Sequence, residues 1–272
     1  MKTRIISAVI LLPLVILVMA IGGTALYVVL CLATLLGFYE FFRAVKMTEK
    51  VYGLIASAHV ILTYIFYWSG HMDYLYMLNI IMILLMLTFY ALKFPKVKLE
   101  ALAYTFFAIF YILFLMLSIA FVRDSAYYGD WMIWLIFAIA FGSDSSAYFV
   151  GVNFGKHKLV PNLSPNKTIE GAIGGLLGAS VIGLIFGVIM YLYGPFNSGL
   201  QIALMVVVGL AGSVVSQIGD LVGSAMKRHT GIKDFGKTIP GHGGILDRLD
   251  SILLTAAYIY VIQTLLTTFR LG

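Results

Sequence analysis

Charge is what this chain has least of. Only 11% of its 272 residues are Asp, Glu, Lys or Arg, where a soluble domain carries about a quarter. So few polar side chains cannot cover a water-facing surface, which excludes a soluble globule. The 61% hydrophobic content and mean hydropathy of +1.00 exclude intrinsic disorder too, because disordered chains are poor in apolar residues. The single cysteine, Cys31, rules out an intramolecular disulfide framework and any cysteine-clustered zinc or iron–sulfur site. Also missing is the alternation of polar and apolar residues over about ten positions that marks a membrane β-barrel strand.

What fills the chain is apolar runs. A helix crosses roughly 30 Å of hydrocarbon with about 20 such residues. Nine runs qualify, near 5–22, 24–42, 52–69, 74–92, 101–122, 131–152, 171–193, 200–223 and 251–269. A backbone in lipid must satisfy its own hydrogen bonds, so these spans are helices. The predicted fold is an all-α polytopic membrane protein with about nine transmembrane helices.

Lysine and arginine predict the orientation. With nine spans, 16 of the 18 basic residues fall on one set of loops, and only Arg123 and Arg270 on the other. Positive residues mark the cytoplasmic side, which predicts a cytoplasmic N-terminus and an external C-terminus. The net charge of +6 then reports topology and contact with anionic headgroups, and gives no reason to invoke nucleic acid.

The acidic residues collect in the second half. Asp144, Glu170, Asp220, Asp234, Asp247 and Asp250 all lie at or near the predicted cytoplasmic ends of spans six to nine. Two long polar segments, 153–170 and 224–250, sit beside them. The first half has short loops, aromatic-rich helices and no carboxylate expected deep within a span. It reads as scaffold, lipid contact or a surface for a second copy of the chain. The division expected is therefore 1–130 for N-terminal helices and 131–272 for C-terminal helices carrying catalytic loops 142–170 and 224–250.

Within that half, Ser213, Ser216, Asp220 and Ser224 recur at three- and four-residue steps, so one helix face presents hydroxyls around a carboxylate. An ionised Asp in a membrane helix is costly without a cation or basic partner. A single such Asp is as readily a polar contact between helices, but several clustered together read as a site. Asp247 and Asp250, three apart, face the same way and can share a cation, although first-turn capping would account for one of them. Gly171, Gly174, Gly175, Gly178, Gly183 and Gly187 follow small-residue spacing and read as close helix packing.

The loop 229–244 interleaves five glycines with Lys233, Lys237, His229 and His242, a composition suited to turning backbone N–H groups towards an anion. Gly231–Thr238 matches G-x-x-x-x-G-K-[ST], yet that pattern needs a strand before it and a helix at the lysine. Here an apolar helix precedes it and Pro240-Gly241 follows, so the match is read as coincidence. No HExxH or cysteine set accompanies the two histidines, which argues against zinc. Oxygen-rich surroundings suit magnesium instead.

Ser224-Ala-Met-Lys227-Arg228-His-Thr-Gly-Ile-Lys233-Asp234-Phe-Gly236-Lys-Thr-Ile239-Pro240-Gly-His242-Gly243-Gly244-Ile-Leu-Asp247-Arg248-Leu-Asp250 closely resembles the signature of the phosphatidate cytidylyltransferases, the CDP-diacylglycerol synthases. The upstream run Asp144-Ser-Ser-Ala-Tyr148, Phe154-Gly155-Lys156, Leu159, Ser164-Pro165-Asn166-Lys167-Thr168 and Glu170-Gly171 is similar to the same family. Asn166 departs from it, standing where lysine is expected, which removes a phosphate role from that one position. The two blocks cover roughly 110 residues. The resemblance implies that CTP and phosphatidate give CDP-diacylglycerol and pyrophosphate, with magnesium and room for a second cation. It implies Asp220, Asp247, Asp144 and Asp250 around the metal. Lys227, Arg228, Lys233 and Arg248 are implied beside them as catalytic cations. Ser224, Lys167, Lys237, His242, Gly243 and Gly244 are implied at the nucleotide. The implied location is the inner cell membrane, with the site facing the cytoplasm.

The reading from chemistry agrees. A phosphate monoester has a second pKa of about 6, so the nucleophile is already charged and needs no general base. What remains is relief of repulsion between polyanions and stabilisation of departing pyrophosphate, tasks for cations and positioning. Two alternatives stand. A CTP-dependent lipid kinase of the dolichol or phytol type would transfer the γ-phosphoryl group to an alcohol, but the 224–250 signature favours cytidylyl transfer. A transporter would place ionisable residues near the midplane and show repeats, and this chain shows neither.

Overall fold

The computed structural model describes residues 2–268 and is helical nearly throughout. In order come α1 (Lys2–Ile21), α2 (Gly23–Ala44), α3 (Lys50–Trp68), α4 (Asp73–Lys93), α5 (Leu99–Ala108), a π-helical segment (Ile109–Phe114) and α6 (Leu115–Arg123). Then follow α7 (Gly129–Phe154), a hairpin of β1 (Lys158–Val160) and β2 (Ser164–Thr168), α8 (Ile169–Tyr193), α9 (Gly199–His229) and α10 (Leu246–Thr268). Eight helices among the described residues are long and apolar enough to cross a membrane, Leu99–Arg123 counting as one despite its π segment. The expected first span, 5–22, coincides with α1, of which Leu11–Ile21 is the apolar part among the described residues. The end of the expected last span, Phe269, lies outside them. The chain is an all-α polytopic membrane protein, and its exposed large residues, among them Leu54, Leu84, Leu177 and Val207, are what a lipid-facing surface requires.

The chain folds as two compact units. One comprises Met1–Leu117 together with Ile232–Asp247. Its α1 and α2 are separated by Gly22, at φ 65°, followed by Gly23 at φ 52°, a left-handed pair that only glycine adopts without penalty. Phe38, Tyr52, Met86, Ile109, Ile112 and Phe235 are among its fully buried large side chains.

The other unit comprises Ser118–Gly231 and Arg248–Gly272, packed around Met132, Ile136, Ile139, Met205, Leu253 and Ile259. Here α8 and α9 cross at very short range. A Cβ on Gly209 would stand 2.2 Å from the Ala179 carbonyl oxygen, and one on Gly183 2.1 Å from that of Met205. The small-residue spacing of α8 thus serves backbone approach. α9 opens with a capping box between Ser198 and Gln201, each satisfying an orphan N–H of the first turn. It runs 31 residues to His229, beyond the expected end near 223. Lys227, Arg228 and His229 occupy its last turn, where positive charge meets the negative end of the helix dipole.

Candidate active site

The hairpin sets the first cation. Lys158 pairs with Thr168 and Val160 with Ser164 in antiparallel register. Thr168 then caps α8 by accepting the Gly171 N–H at 3.1 Å. Glu170 ties the hairpin base to the end of α7, accepting the Lys156 N–H at 3.1 Å and bonding His157 Nδ1 at 2.6 Å. Along β2, Pro165 and Asn166 are exposed and Lys167 is half-buried. The Lys167 ammonium forms an ion pair with Asp220 of α9.

The polar face expected on α9 is present. Ser213 is fully buried and its Oγ lies 2.7 Å from Ser143 Oγ of α7. Gln217 donates to the Ala172 carbonyl at 3.2 Å and to Ser213 Oγ at 3.1 Å. Ser216 is buried with its hydroxyl unpartnered, and Ser224 is half-buried one turn beyond Asp220. Ser213 and Gln217 of this stripe therefore join helices, and Gln217 and Asp220 line a cavity.

That cavity has a volume of about 500 Å³, within the range of small-molecule sites. Asp144, Lys167, Gln217 and Asp220 form its polar wall, and Tyr148 and Val152 stand on its apolar one. Asp220 is the electrostatic centre of a wider cluster. Its charge acts on Asp144 of α7 and on Asp250 of α10, and Asp144 also acts on Asp250. Lys167 and Arg248 oppose the charge of Asp144, and Lys227 opposes that of Asp250. Asp250 is buried, with Gly223 packed against its Cβ and Oδ2, and accepts the Ser251 N–H at 2.9 Å. Arg228 reaches back to the Leu163 carbonyl at 3.4 Å. Three carboxylates from three helices thus lie within electrostatic reach of one another and of three cations.

The remaining expected residues belong to the N-terminal unit. Residues 231–245 form a loop with no helix at Lys237, so the phosphate-loop match is a coincidence of letters. Lys233 and Lys237 are exposed. An isolated bridge joins Ile239 to Gly243, and His242 between them keeps Nδ1 buried without a hydrogen-bond partner. Asp247 reaches back into the loop. Its Oδ2 accepts the Phe235 N–H at 2.8 Å and the Gly244 N–H at 3.0 Å, with Gly243 close beside it.

One residue that the sequence did not single out belongs here: Glu40, near the C-terminal end of α2, is completely buried. It accepts hydrogen bonds from Thr238 Oγ1, Ile245 N and Leu246 N. Three residues on, Arg43 Nη2 donates to the Phe235 carbonyl at 2.8 Å. The burial is affordable because the loop supplies donors to the carboxylate. A lone Glu inside an apolar run, with Arg on the same helix face, was the signal available in the sequence.

Comparison with known proteins follows the same lines. A profile described as "Cytidylyltransferase family" matches residues 2–266. A phosphatidate cytidylyltransferase of Bacillus subtilis (strain 168) is 44% identical over 144 residues, 53% of this chain and 51% of that protein. One of Staphylococcus haemolyticus (strain JCSC1435) is 32% identical over 262 residues, 93% of this chain and 95% of that protein. One of Haemophilus influenzae is 43% identical over 131 residues, 48% and 44% of the two chains. With a profile spanning almost its whole length and a relative aligned nearly end to end, the chain belongs to the cytidylyltransferase family.

Proposed function

We propose that this protein is a phosphatidate cytidylyltransferase, joining the cytidylyl group of CTP to phosphatidate and releasing pyrophosphate. The observation that carries this reading is the grouping of Asp144, Asp220 and Lys167 on the wall of a cavity of about 500 Å³, with Asp250, Lys227 and Arg248 within electrostatic reach of it. A phosphatidate phosphate oxygen attacks the α-phosphorus of CTP, the new P–O bond forms, and the bond to the β-phosphate breaks. Nothing need remove a proton, since the attacking monoester is already ionised. Lys167, Lys227 and Arg248 offset the repulsion between the two polyanions. Tyr148 and Val152, both exposed, give the cavity an apolar wall.

Magnesium is the cation we propose for these oxygen donors. Among the described residues no three His, Cys, Asp or Glu side chains close into a protein-only cage. Magnesium ordinarily takes one or two protein carboxylates and completes its shell with water and phosphate, so separated hard oxygens suit it. Bound there, it would neutralise charge on the nucleotide phosphates. Asp220 and Asp247 are proposed as the two carboxylates that catalysis cannot lose, with Asp144 and Asp250 in support. The hydrogen bonds holding Asp247 Oδ2 are of the kind that orient metal-binding carboxylates. Lys233, Arg228 and Lys237 are proposed to draw in phosphates, and Ser224, His242, Gly243 and Gly244 to face the nucleotide. The basic-residue asymmetry supports a site on the cytoplasmic side of the inner membrane, with the N-terminus on that side.

The test uses detergent-purified protein with phosphatidate and CTP labelled at either the α- or the γ-phosphorus. Label entering lipid from the α position supports cytidylyl transfer; label from the γ position would assign a lipid kinase instead. Asp220→Asn and Asp247→Asn should each abolish transfer at any magnesium concentration, while Asp144→Asn and Asp250→Asn should reduce turnover or raise the magnesium requirement. Near-normal activity and metal dependence in both of the first pair would overturn the assignment.

A further inference from the structure

We infer that Glu40 is a positioning residue for the reaction, fixing the 235–246 loop and through it the carboxylate of Asp247. The inference rests on the proposed role of Asp247. Glu40 lies nearly two hundred residues before the loop, outside both blocks of motif. The geometry is specific. Oε1 takes the Thr238 hydroxyl and the Ile245 N–H (3.0 Å), and Oε2 takes the Leu246 N–H (3.0 Å). The Gly244 N–H, next in the same run, goes to Asp247 Oδ2. Three consecutive backbone donors, 244 to 246, are thus shared between two buried carboxylates immediately before α10 leaves the loop.

The Phe235 peptide is pinned at both ends in the same way. Its N–H goes to Asp247 and its carbonyl to Arg43. Glu40 and Arg43 project from one face of α2, as residues three apart do. The approach also explains two glycines. A Cβ on Gly236 would stand 2.3 Å from Glu40 Oε1, and one on Gly244 2.4 Å from Oε2. Neither position tolerates a side chain while the carboxylate is in place. Two of the loop's glycines therefore leave room for Glu40.

A carboxylate that only filled a polar gap would affect folding when changed. A positioning carboxylate affects turnover through Asp247. Glu40→Gln separates these, because it keeps the shape but sets an amide N–H against the Leu246 N–H where an acceptor stood. In the full-length detergent-solubilised enzyme, kcat should fall about tenfold or more, the size usual for groups that orient a metal-directed ligand, with KM for CTP changed less than about threefold. Trypsin cleavage after Lys237, which is exposed, should accelerate in the substrate-free protein. Thr238→Val removes one donor of three and should do the same to a smaller degree.

Wild-type kcat in a folded Glu40→Gln, or a lowered kcat with unchanged cleavage at Lys237, overturns the inference. Should Glu40→Gln not fold, wild-type kinetics in both Thr238→Val and Gly244→Ala overturns it equally. Asp247→Asn is assayed alongside. An inactive Asp247→Asn beside a normal Glu40→Gln defeats this inference alone, whereas a fully active Asp247→Asn defeats the reading of Asp247 and the inference with it.

Discussion

Replacing Lys167 by glutamine should make the enzyme need less magnesium while turning over more slowly. The ammonium is paired with Asp220 and also acts on Asp144, so it occupies the charge a cation would seek. Two unit charges about 4 Å apart interact by roughly 4 kcal/mol at an effective dielectric of about 20. Solvent reaches both side chains, 24% exposed for Lys167 and 30% for Asp220, and pairs open to water are worth about 0.2–1 kcal/mol. About 1 kcal/mol is then the competition removed, which lowers the half-saturating magnesium concentration about fivefold at 1.36 kcal/mol per decade. Turnover moves the other way. A hydrogen bond to a charged group is worth about 1.5–3 kcal/mol, so losing the contact to phosphate should cost roughly 10- to 100-fold in kcat. Initial rates over a magnesium series at saturating CTP and phosphatidate give both quantities, and Lys167→Arg controls for charge. A half-saturating concentration that rises or stays put in Lys167→Gln would refute the competition, and with it the placement of the cation at Asp220.

Two further outcomes follow from the fold. Gly209→Ala would gain about 1 kcal/mol in an ordinary helix, but here the methyl meets the Ala179 carbonyl and overpacking costs about 1–3 kcal/mol; the thermal midpoint in detergent should fall, and a rise would mean that α8 and α9 do not cross so closely. Reporter fusions at Gly272 and within 153–170 should lie on opposite sides of the membrane, and a shared side would break the nine-span topology.

How much of this the sequence disclosed depends on the range over which each signal acts. Helix existence is a local matter of about 20 apolar residues, and eight of the nine runs correspond to helices of spanning length among the described residues. Helix ends were less legible. The polar tail Ser224–His229 reads as loop by hydropathy, yet it continues α9, because helix propensity and a dipole-matched basic turn hold regardless of polarity. The small-residue spacing of α8 was legible because it is periodic within a single helix. The carboxylates Asp144, Asp220 and Asp250 were legible as unusual residues. Their clustering near the span ends was legible too; which cation pairs with Asp220 was not, since the Lys167 contact depends on how β2 and α9 pack. Glu40 shows the limit most clearly. It was visible as a carboxylate in an apolar run, but what justifies its burial is three donors about 200 residues later, and no window on α2 contains them. The glycines facing it suggest backbone freedom by composition, whereas in the structure they also leave the space that Glu40 fills. Composition tells which residues are costly to place; only the long-range pairing tells what each cost is offset by, and in this chain the offset for the most deeply buried carboxylate comes from the loop whose own chemistry seemed complete without it.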